Sequence, residues 1–185
     1  MEELLREIKK YFKLLNRNTI TKWNQGHFLS NCKELREKEG LFLKLVPIYE
    51  KEIIKLIKKY PESKNVIYYI SLLEWGRDTK KISEFLISIL NHNKSHKIHN
   101  YTARALFPLV VSGKVKINID EFLKLLDHNN KYCKNKALGI LAFLPLSDND
   151  KEKLNIRLLD FKKLANSSSD SDIISKPAKL LLKRL

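Results

Sequence analysis

Apolar residues recur at three- and four-residue steps along most of the chain, and polar residues fill the positions between them. This spacing matches the period of about 3.6 residues in an α-helix, so it predicts a protein built from amphipathic helices. The predicted helices cover about residues 2–15, 21–39, 47–60, 66–75, 78–90, 95–107, 119–127, 130–144, 151–164 and 173–185.

Glycines, prolines and polar clusters set the expected ends of these helices. Gly40 is expected to cap one helix at its C-terminus, and Gly76 is expected to end another. Pro47 lacks a backbone donor and clashes with the preceding turn, so it predicts a short turn of helix before it and a main helix that begins at it. Residues 147–150 are predicted to form a loop, and Pro177 fits the first turn of the last helix.

At four points a small polar residue stands three places before an apolar residue, where it is expected to cap a helix. The four pairs are Ser63 with Val66, Ser95 with Ile98, Asn130 with Cys133 and Ser171 with Ile174. Their apolar members are 32, 35 and 41 residues apart. Helix pairs that repeat at such intervals stack into a solenoid, because one pair alone cannot bury its apolar face.

The sequence therefore predicts an all-α fold, an α-α superhelix (solenoid) of about four to five helix pairs in a single domain. The expected units cover about residues 1–40, 41–76, 77–113, 114–147 and 148–185. The capped pattern then marks the starts of the second helices of these pairs.

The second helix of one predicted pair resembles a HEAT repeat. In that family the helix typically reads Asp-x-x-Val-Arg-x-x-Ala-Ala-x-Ala-Leu. The stretch in this chain reads Ser95-x-x-Ile98-His99-x-x-Thr102-Ala103-x-Ala105-Leu106, and a looser match runs from Asn130 to Leu141. Both stretches lack the usual cap Asp and the Arg that follows the Val. The resemblance covers about residues 47–185 and implies a HEAT-like α-solenoid that binds macromolecules along its concave face.

Composition fits a protein of a reducing, intracellular compartment. The chain is 43% hydrophobic, and its longest apolar runs are about six residues, whereas a bilayer span needs ~20. Its first residues are acidic where a signal peptide is basic. Five Gly and five Pro are too few for a turn-rich all-β protein. We therefore expect a cytoplasmic, soluble protein without membrane insertion, in which Cys133 is a buried small hydrophobic residue.

The net charge of +15 suggests either an anionic partner or a compositional bias. Lys outnumbers Arg by 29 to 7, which an AT-rich coding sequence alone would produce. The basic excess is +6, +4 and +5 in residues 1–60, 61–115 and 116–185, so no segment forms a basic tail. Both interpretations stay open on this basis.

Basic residues recur in register around the starts of two predicted second helices. They are Lys94, Lys97, Arg104, Lys131, Lys134 and Lys136. Stacked repeats would align them in one stripe, here called the basic stripe, which suits nonspecific contacts with phosphates. The other interpretation is that they are ordinary solvated side chains of a Lys-rich protein.

Four aromatic residues are candidate anchors for a protein partner, since a few anchor side chains carry most of the binding energy of an interface. They are Tyr68, Tyr69, Trp75 and Tyr101, and some of them are expected to be buried. The leading functional prediction is a non-catalytic binding module or scaffold for a protein partner. Sequence-nonspecific nucleic-acid binding is the alternative.

No catalytic or metal-binding signature accompanies these features, so we expect neither a cofactor nor a metal. The chain has no Gly-rich phosphate loop, paired Cys motif or Ser nucleophile elbow. His92, His96 and His99 do not predict a zinc site, because a new helix begins at Ser95 and no fourth ligand stands nearby.

A third, more distant interpretation is a DNA alkylation glycosylase of the HEAT-like type, which uses a concave-face Trp with an Asp and an Arg. The residues that would form this group are Trp75, Glu74, Asp78 and Arg104. Trp75 stands at a helix end beside Gly76, and Asp78 follows in the next loop. The sequence therefore favours a core or interface role for Trp75.

Overall fold

The computed structural model describes residues 1–17, 32–92, 95–111, 115, 118–129, 131–166 and 172–185. All regular secondary structure within these ranges is helical, which confirms the predicted all-α class. None of the described helices combines the length and the apolar character that crossing a membrane requires. The chain divides into two compact units, Met1–Ile82 and Ser83–Leu185.

In the described part of the first unit, three helices and a short 3-10 helix pack against one another. The elements are α1 (Glu2–Arg17), α2 (Lys33–Lys59), α3 (Val66–Leu72), the 3-10 helix (Leu73–Trp75) and the start of α4 (Thr79–His92). In α1 the residues Leu4, Ile8 and Leu15 are buried at helical spacing, so the amphipathic helix predicted over residues 2–15 is confirmed.

An aromatic cluster of Tyr11, Phe42 and Trp75 joins α1, α2 and the 3-10 helix. The ring centroids lie 5.6 Å apart for Tyr11 and Phe42 and 4.8 Å apart for Phe42 and Trp75. Tyr11 also meets Trp75 edge-on at 5.8 Å. Edge-to-face and tilted pairs of this kind stabilise a core beyond the area that they bury.

The α2 helix continues through Gly40 and Pro47, so the predicted cap at the first and the predicted helix start at the second are wrong. A stripe of buried residues runs along α2 on both sides of Pro47. It consists of Leu35, Phe42, Val46, Glu50, Ile53 and Ile57. The burial of this stripe offsets costs of about 1 kcal/mol for an interior Gly and about 3 kcal/mol for an interior Pro.

The second unit is packed around one central helix. Its elements are the rest of α4, α5 (His96–Val111), α6 (Ile119–Leu126), α7 (Lys131–Leu141), α8 (Asp148–Ile156), α9 (Leu158–Asn166) and α10 (Asp172–Leu182). The α7 helix packs against α5, α6 and α10, and α9 packs against α10. The buried face of α7 includes Cys133, Ala137, Leu138 and Leu141.

Several helix boundaries in this unit differ from the prediction. The α5 helix continues through Pro108, because Leu106 and Leu109 are buried on either side of it. Pro177 lies in the second turn of α10 and not in the first. The single helix predicted over residues 151–164 is two helices, since Arg157 ends α8 with φ −102° and ψ 15°.

Ser147 is the N-cap residue of α8, so residues 148–150 are helical and the loop predicted over residues 147–150 is wrong. Its Oγ accepts a hydrogen bond from the backbone N–H of Asp150 at 3.3 Å, and the Asp150 carboxylate accepts one from the N–H of Ser147 at 3.0 Å. This reciprocal pair is a capping box, which satisfies two backbone donors at a helix start.

The four capped pairs have different outcomes. Oγ of Ser95 accepts a hydrogen bond from the N–H of Ile98 at 3.4 Å, which confirms the cap of α5. Ser63 does not cap α3, because Asn65 is the N-cap residue and Oγ of Ser63 binds the N–H of Asn65 instead, at 3.2 Å. Asn130 and Ser171 lie outside the described residues.

Candidate functional site

A groove of about 620 Å³ opens on the first unit between α2 and the start of α4. Apolar, acidic and basic side chains all contribute to it. The lining residues are Pro47, Ile48, Glu50, Lys51, Ile54, Arg77, Asp78 and Lys81. This feature is called the α2–α4 groove below.

Glu50 is the one buried residue among those that line the groove. It lies on the buried stripe of α2 and is only 8% exposed. Its Oε2 accepts hydrogen bonds from the backbone N–H of Arg77 at 2.7 Å and from that of Asp78 at 3.2 Å. Bonds to a carboxylate are stronger than bonds between neutral groups, so Glu50 holds the loop before α4 against α2.

Gly76 allows this loop to approach α2. A Cβ atom at this position would lie 2.2 Å from Cδ1 of Ile82 and 3.0 Å from Oε2 of Glu50. The backbone itself, with φ −72° and ψ 162°, accepts any residue, so the requirement for glycine is one of space. The predicted helix end at Gly76 is confirmed, and the structure adds this steric reason.

The apolar part of the groove contains an exposed isoleucine. Ile48 is 71% exposed, and Pro47 and Ile54 beside it are half-buried. Ile48 lies off the buried stripe of α2, so the core of this unit does not cover it. Apolar surface inside a groove is typical of a site that a ligand or a partner covers.

The charged side chains of the groove are of two kinds. Both carboxylates already accept backbone hydrogen bonds, since Oδ1 of Asp78 accepts one from the N–H of Lys81 at 3.1 Å and Glu50 holds the loop. The basic side chains of Lys51, Arg77 and Lys81 are exposed, and none of them makes an ion pair within the described part of the chain. The rim therefore presents cations that no carboxylate of the described residues neutralises through an ion pair.

The described members of the basic stripe lie on α5 and α7, which pack against each other. Lys97 is exposed, whereas Arg104, Lys134 and Lys136 are half-buried. Burial lowers the pKa of Lys136, because desolvation penalises its charged form. Two members, Lys94 and the side chain of Lys131, lie outside the described residues. A phosphate-binding role for the stripe stays a prediction.

The predicted aromatic anchors differ in exposure. Trp75 is 8% exposed within the aromatic cluster, which accounts for it as a core residue. Tyr68, Tyr69 and Tyr101 are half-buried, and Nζ of Lys9 lies 5.5 Å from the ring centroid of Tyr68. The anchor role of the three tyrosines stays a prediction. Because the Trp75 ring is packed in the core, its position gives no support to the glycosylase interpretation, which needs a Trp on the concave face.

The histidines of the predicted turn region do not share a site. Nδ1 of His92 lies 2.8 Å from the backbone oxygen of Ser88, within the same helix. Nε2 of His96 lies 3.0 Å from Nδ2 of Asn100, and His99 is fully buried. Within the described residues, no three His, Cys, Asp or Glu side chains are grouped so as to hold a metal ion.

Cys133 is fully buried, as predicted. Its Sγ donates a weak hydrogen bond to the backbone oxygen of Leu90 at 3.5 Å. Burial raises the pKa of Cys133 to about 11, so the reactive thiolate is disfavoured at neutral pH. This thiol is therefore a packing residue and not a nucleophile.

Sequence reasoning missed the α2–α4 groove, although α2 carries two signals of it. Glu50 is a charged residue at a core position, between the buried Val46 and Ile53. Ile48 is a large apolar residue off that stripe. If α2 is drawn as one helix that continues through Pro47, Glu50 falls on the buried stripe and Ile48 falls outside it. The predicted helix start at Pro47 cut this stripe in two, so the contrast between the two residues was not seen.

The fold and the site together define a protein whose described ranges are helical and whose groove combines apolar surface with three exposed cations and two carboxylates. Comparison with protein-family models, with curated proteins and with solved structures gives no match. The HEAT-like resemblance therefore rests on the residues that carry it, and the function has to be argued from the groove.

Proposed function

We propose that this chain is a non-catalytic binding module or scaffold that binds a protein partner. The α2–α4 groove is the observation that carries the proposal. It joins an isoleucine that is 71% exposed to three basic side chains without an ion pair among the described residues. Apolar anchors inside a polar rim are the usual composition of a protein interface.

The proposal includes a HEAT-like solenoid of about four to five helix pairs. Two observations on the second unit support it. Consecutive helices pack against each other in the pairs α6–α7 and α9–α10, and α7 also packs against α10. Contacts within a pair, and between the second helices of neighbouring pairs, are what stacked repeats require.

Nucleic-acid binding is the second candidate function, and the basic stripe favours it. The exposed Lys97 lies on α5, next to the helix that carries Lys134. Such a surface would bind phosphates without reading sequence. Its signature is a steep loss of affinity with salt, since each neutralised phosphate releases a counterion.

The experiment compares partners captured by the wild-type protein, by Ile48→Asp and by Leu43→Asp from a lysate of the source cells, with and without nuclease treatment. Leu43 is the matched control, because it lies on α2 and is 61% exposed but does not line the groove. We expect wild type and Leu43→Asp to capture the same proteins and Ile48→Asp to lose them. Identical capture by all three removes the groove from the function, and capture that nuclease abolishes favours nucleic acid.

A further inference from the structure

We propose that the α2–α4 groove binds an acidic peptide segment that carries a large apolar side chain. This inference deepens the proposed function and rests on it, since it gives the chemistry of the partner. The groove supplies both halves of the match: an apolar wall around Ile48 and a basic rim that has no partner in the described chain.

The α2 wall of the groove follows from helix geometry. Pro47, Lys51 and Ile54 are spaced by four and three residues, so they share one face of the helix. Glu50 lies to one side of that face and turns towards the core, and Ile48 lies to the other side and is exposed. A ligand that covers this face meets apolar surface on both sides of the ammonium group of Lys51.

The opposite wall carries the other two cations. Arg77 precedes α4, and Lys81 lies in its first turn, three residues after Asp78. Because Lys51 and this pair come from different walls, carboxylates spread along one segment are able to meet all three. Complementary charges of this kind raise the association rate and select against basic partners.

The buried carboxylate of Glu50 determines how deep an anion can enter. Glu50 is the one buried side chain among the lining residues, and it brings a negative charge to the groove, although Oε2 accepts two backbone hydrogen bonds. A ligand anion beside Glu50 would meet a like charge, which is unfavourable. The ligand carboxylates therefore belong beside Lys51, Arg77 and Lys81, away from Glu50 and from the exposed Asp78, which also lines the groove. The apolar side chain of the ligand belongs against the apolar lining residues.

This arrangement favours a peptide over a small anion or a nucleic acid. A free phosphate would leave Ile48 and Ile54 exposed, and the sugar-phosphate backbone of a nucleic acid would gain little from them. An acidic peptide with a Leu, Ile or Phe uses both the cations and the apolar wall. Such a peptide also removes the exposed Ile48 from water, which adds to the binding free energy. A purely ionic ligand would not make this contribution.

The test measures the fluorescence anisotropy of labelled probes with the full chain. The main probe is a short peptide in which Asp and Glu flank one Leu. Two comparison peptides carry Ser in place of that Leu, or Lys in place of the acidic residues. A third comparison probe is a labelled single-stranded oligonucleotide. Inorganic phosphate serves as a competitor.

The protein variants separate the two halves of the groove. Lys51→Glu combined with Lys81→Glu reverses the rim, and Ile48→Ser removes the apolar anchor. Lys55→Glu is the matched control, because Lys55 is exposed on the same helix but does not line the groove. Circular dichroism and urea unfolding establish that each variant keeps the fold.

We expect the acidic Leu peptide to bind wild type and Lys55→Glu equally, and to bind the rim double variant at least about tenfold more weakly. Ile48→Ser and the Leu→Ser probe should each weaken binding several-fold, and added salt should weaken it further. Equal binding by the double variant, equal binding of the Ser probe, tighter binding of the oligonucleotide, or full competition by phosphate each overturns the inference. If no acidic probe binds but Ile48→Asp still loses a captured protein, this inference fails while the proposed binding function stands.

Discussion

Oε2 of Glu50 accepts a hydrogen bond of 2.7 Å from the backbone N–H of Arg77, although 27 residues separate the two in sequence. This contact places a charged side chain of α2 under the loop that leads into α4. The same loop carries two of the groove residues, Arg77 and Asp78. The shape of the groove therefore depends on a single buried carboxylate.

Replacement of Glu50 by Ala should destabilise the first unit by about 1.5–3 kcal/mol, because it leaves the N–H groups of Arg77 and Asp78 without their acceptor. Urea unfolding monitored by Trp fluorescence measures the change as a lower midpoint. The control is Glu52→Ala, since Glu52 is exposed on the same helix and should change stability by less than about 0.5 kcal/mol. Equal midpoints for the two variants would contradict the structural role of Glu50.

Replacement of Gly76 by Ala should also destabilise the first unit, by about 1–3 kcal/mol. The added methyl group would lie 2.2 Å from Cδ1 of Ile82, which has to move, and 3.0 Å from Oε2 of Glu50. Gly40→Ala is the matched control, because a Cβ there meets nothing within 4 Å. Since Ala is the better helix former, that control should gain up to about 1 kcal/mol. Thermal unfolding of both variants checks that Gly76→Ala lowers the unfolding temperature and that Gly40→Ala does not.

A pH-dependent ion pair links α1 to α2. Nζ of Lys38 donates to Oε2 of Glu7 at 2.7 Å, and Nζ of Lys10 donates to Oε1 at 2.8 Å. The hydrogen bonds from Lys10 and Lys38 lower the pKa of Glu7 from its ordinary value near 4.5 to about 2. A lowered pKa in the folded state means that the ionised form stabilises the fold.

The stability difference between wild type and Glu7→Gln should therefore be largest above pH 4.5, should shrink below it and should be lost as the pH falls through about 2. Urea unfolding of both proteins across this range gives that difference directly. Glu3→Gln is the control, since the Glu3 side chain is 70% exposed and its pair with Arg6 is a surface contact of 3.8 Å. A difference for Glu7→Gln that does not change with pH would show that the pair does not form in solution.

Local pattern was sufficient to predict most helices. In α1 and α6 the apolar residues fall on one face, so periodicity alone located Glu2–Arg17 and Ile119–Leu126 to within two residues. The rule that a helix begins or ends at a proline failed at Pro47 and Pro108. The rule considers the hydrogen-bond donor that proline lacks, but it does not consider the burial of side chains on either side of the proline. Val46 and Ile53 are both fully buried around Pro47, and that tertiary gain keeps α2 continuous.

The groove was less predictable than the helices, for a physical reason. Sequence reasoning located candidate sites by type and register, which gave the basic stripe and the aromatic anchors. The groove depends on Glu50 and the N–H groups of Arg77 and Asp78, and no periodic pattern links residues so far apart. The loop could also approach α2 only at Gly76, and the sequence identified this residue only as the end of a helix.

Arg184 completes the C-terminal end of α7, and its removal should destabilise the second unit. Its Nη1 donates to the backbone oxygen of Ala142 at 2.8 Å and its Nη2 to that of Leu144 at 2.9 Å. These oxygens lie just beyond the last residue of α7, where carbonyl groups lack partners within the helix. A cation at a helix C-terminus is also favoured by the helix dipole.

We therefore expect Arg184→Ala to lower the free energy of unfolding by about 1–2 kcal/mol and to speed hydrogen exchange at the end of α7. Arg184→Lys should recover only part of this loss, because an ammonium group cannot reach two oxygens with the fixed fork of a guanidinium. Lys183→Ala is the control, since Lys183 is exposed and its side chain makes no contact like that of Arg184 within the described residues. Full recovery by Lys would mean that charge alone stabilises this helix end, and no loss with Ala would mean that solvent satisfies the carbonyls equally well.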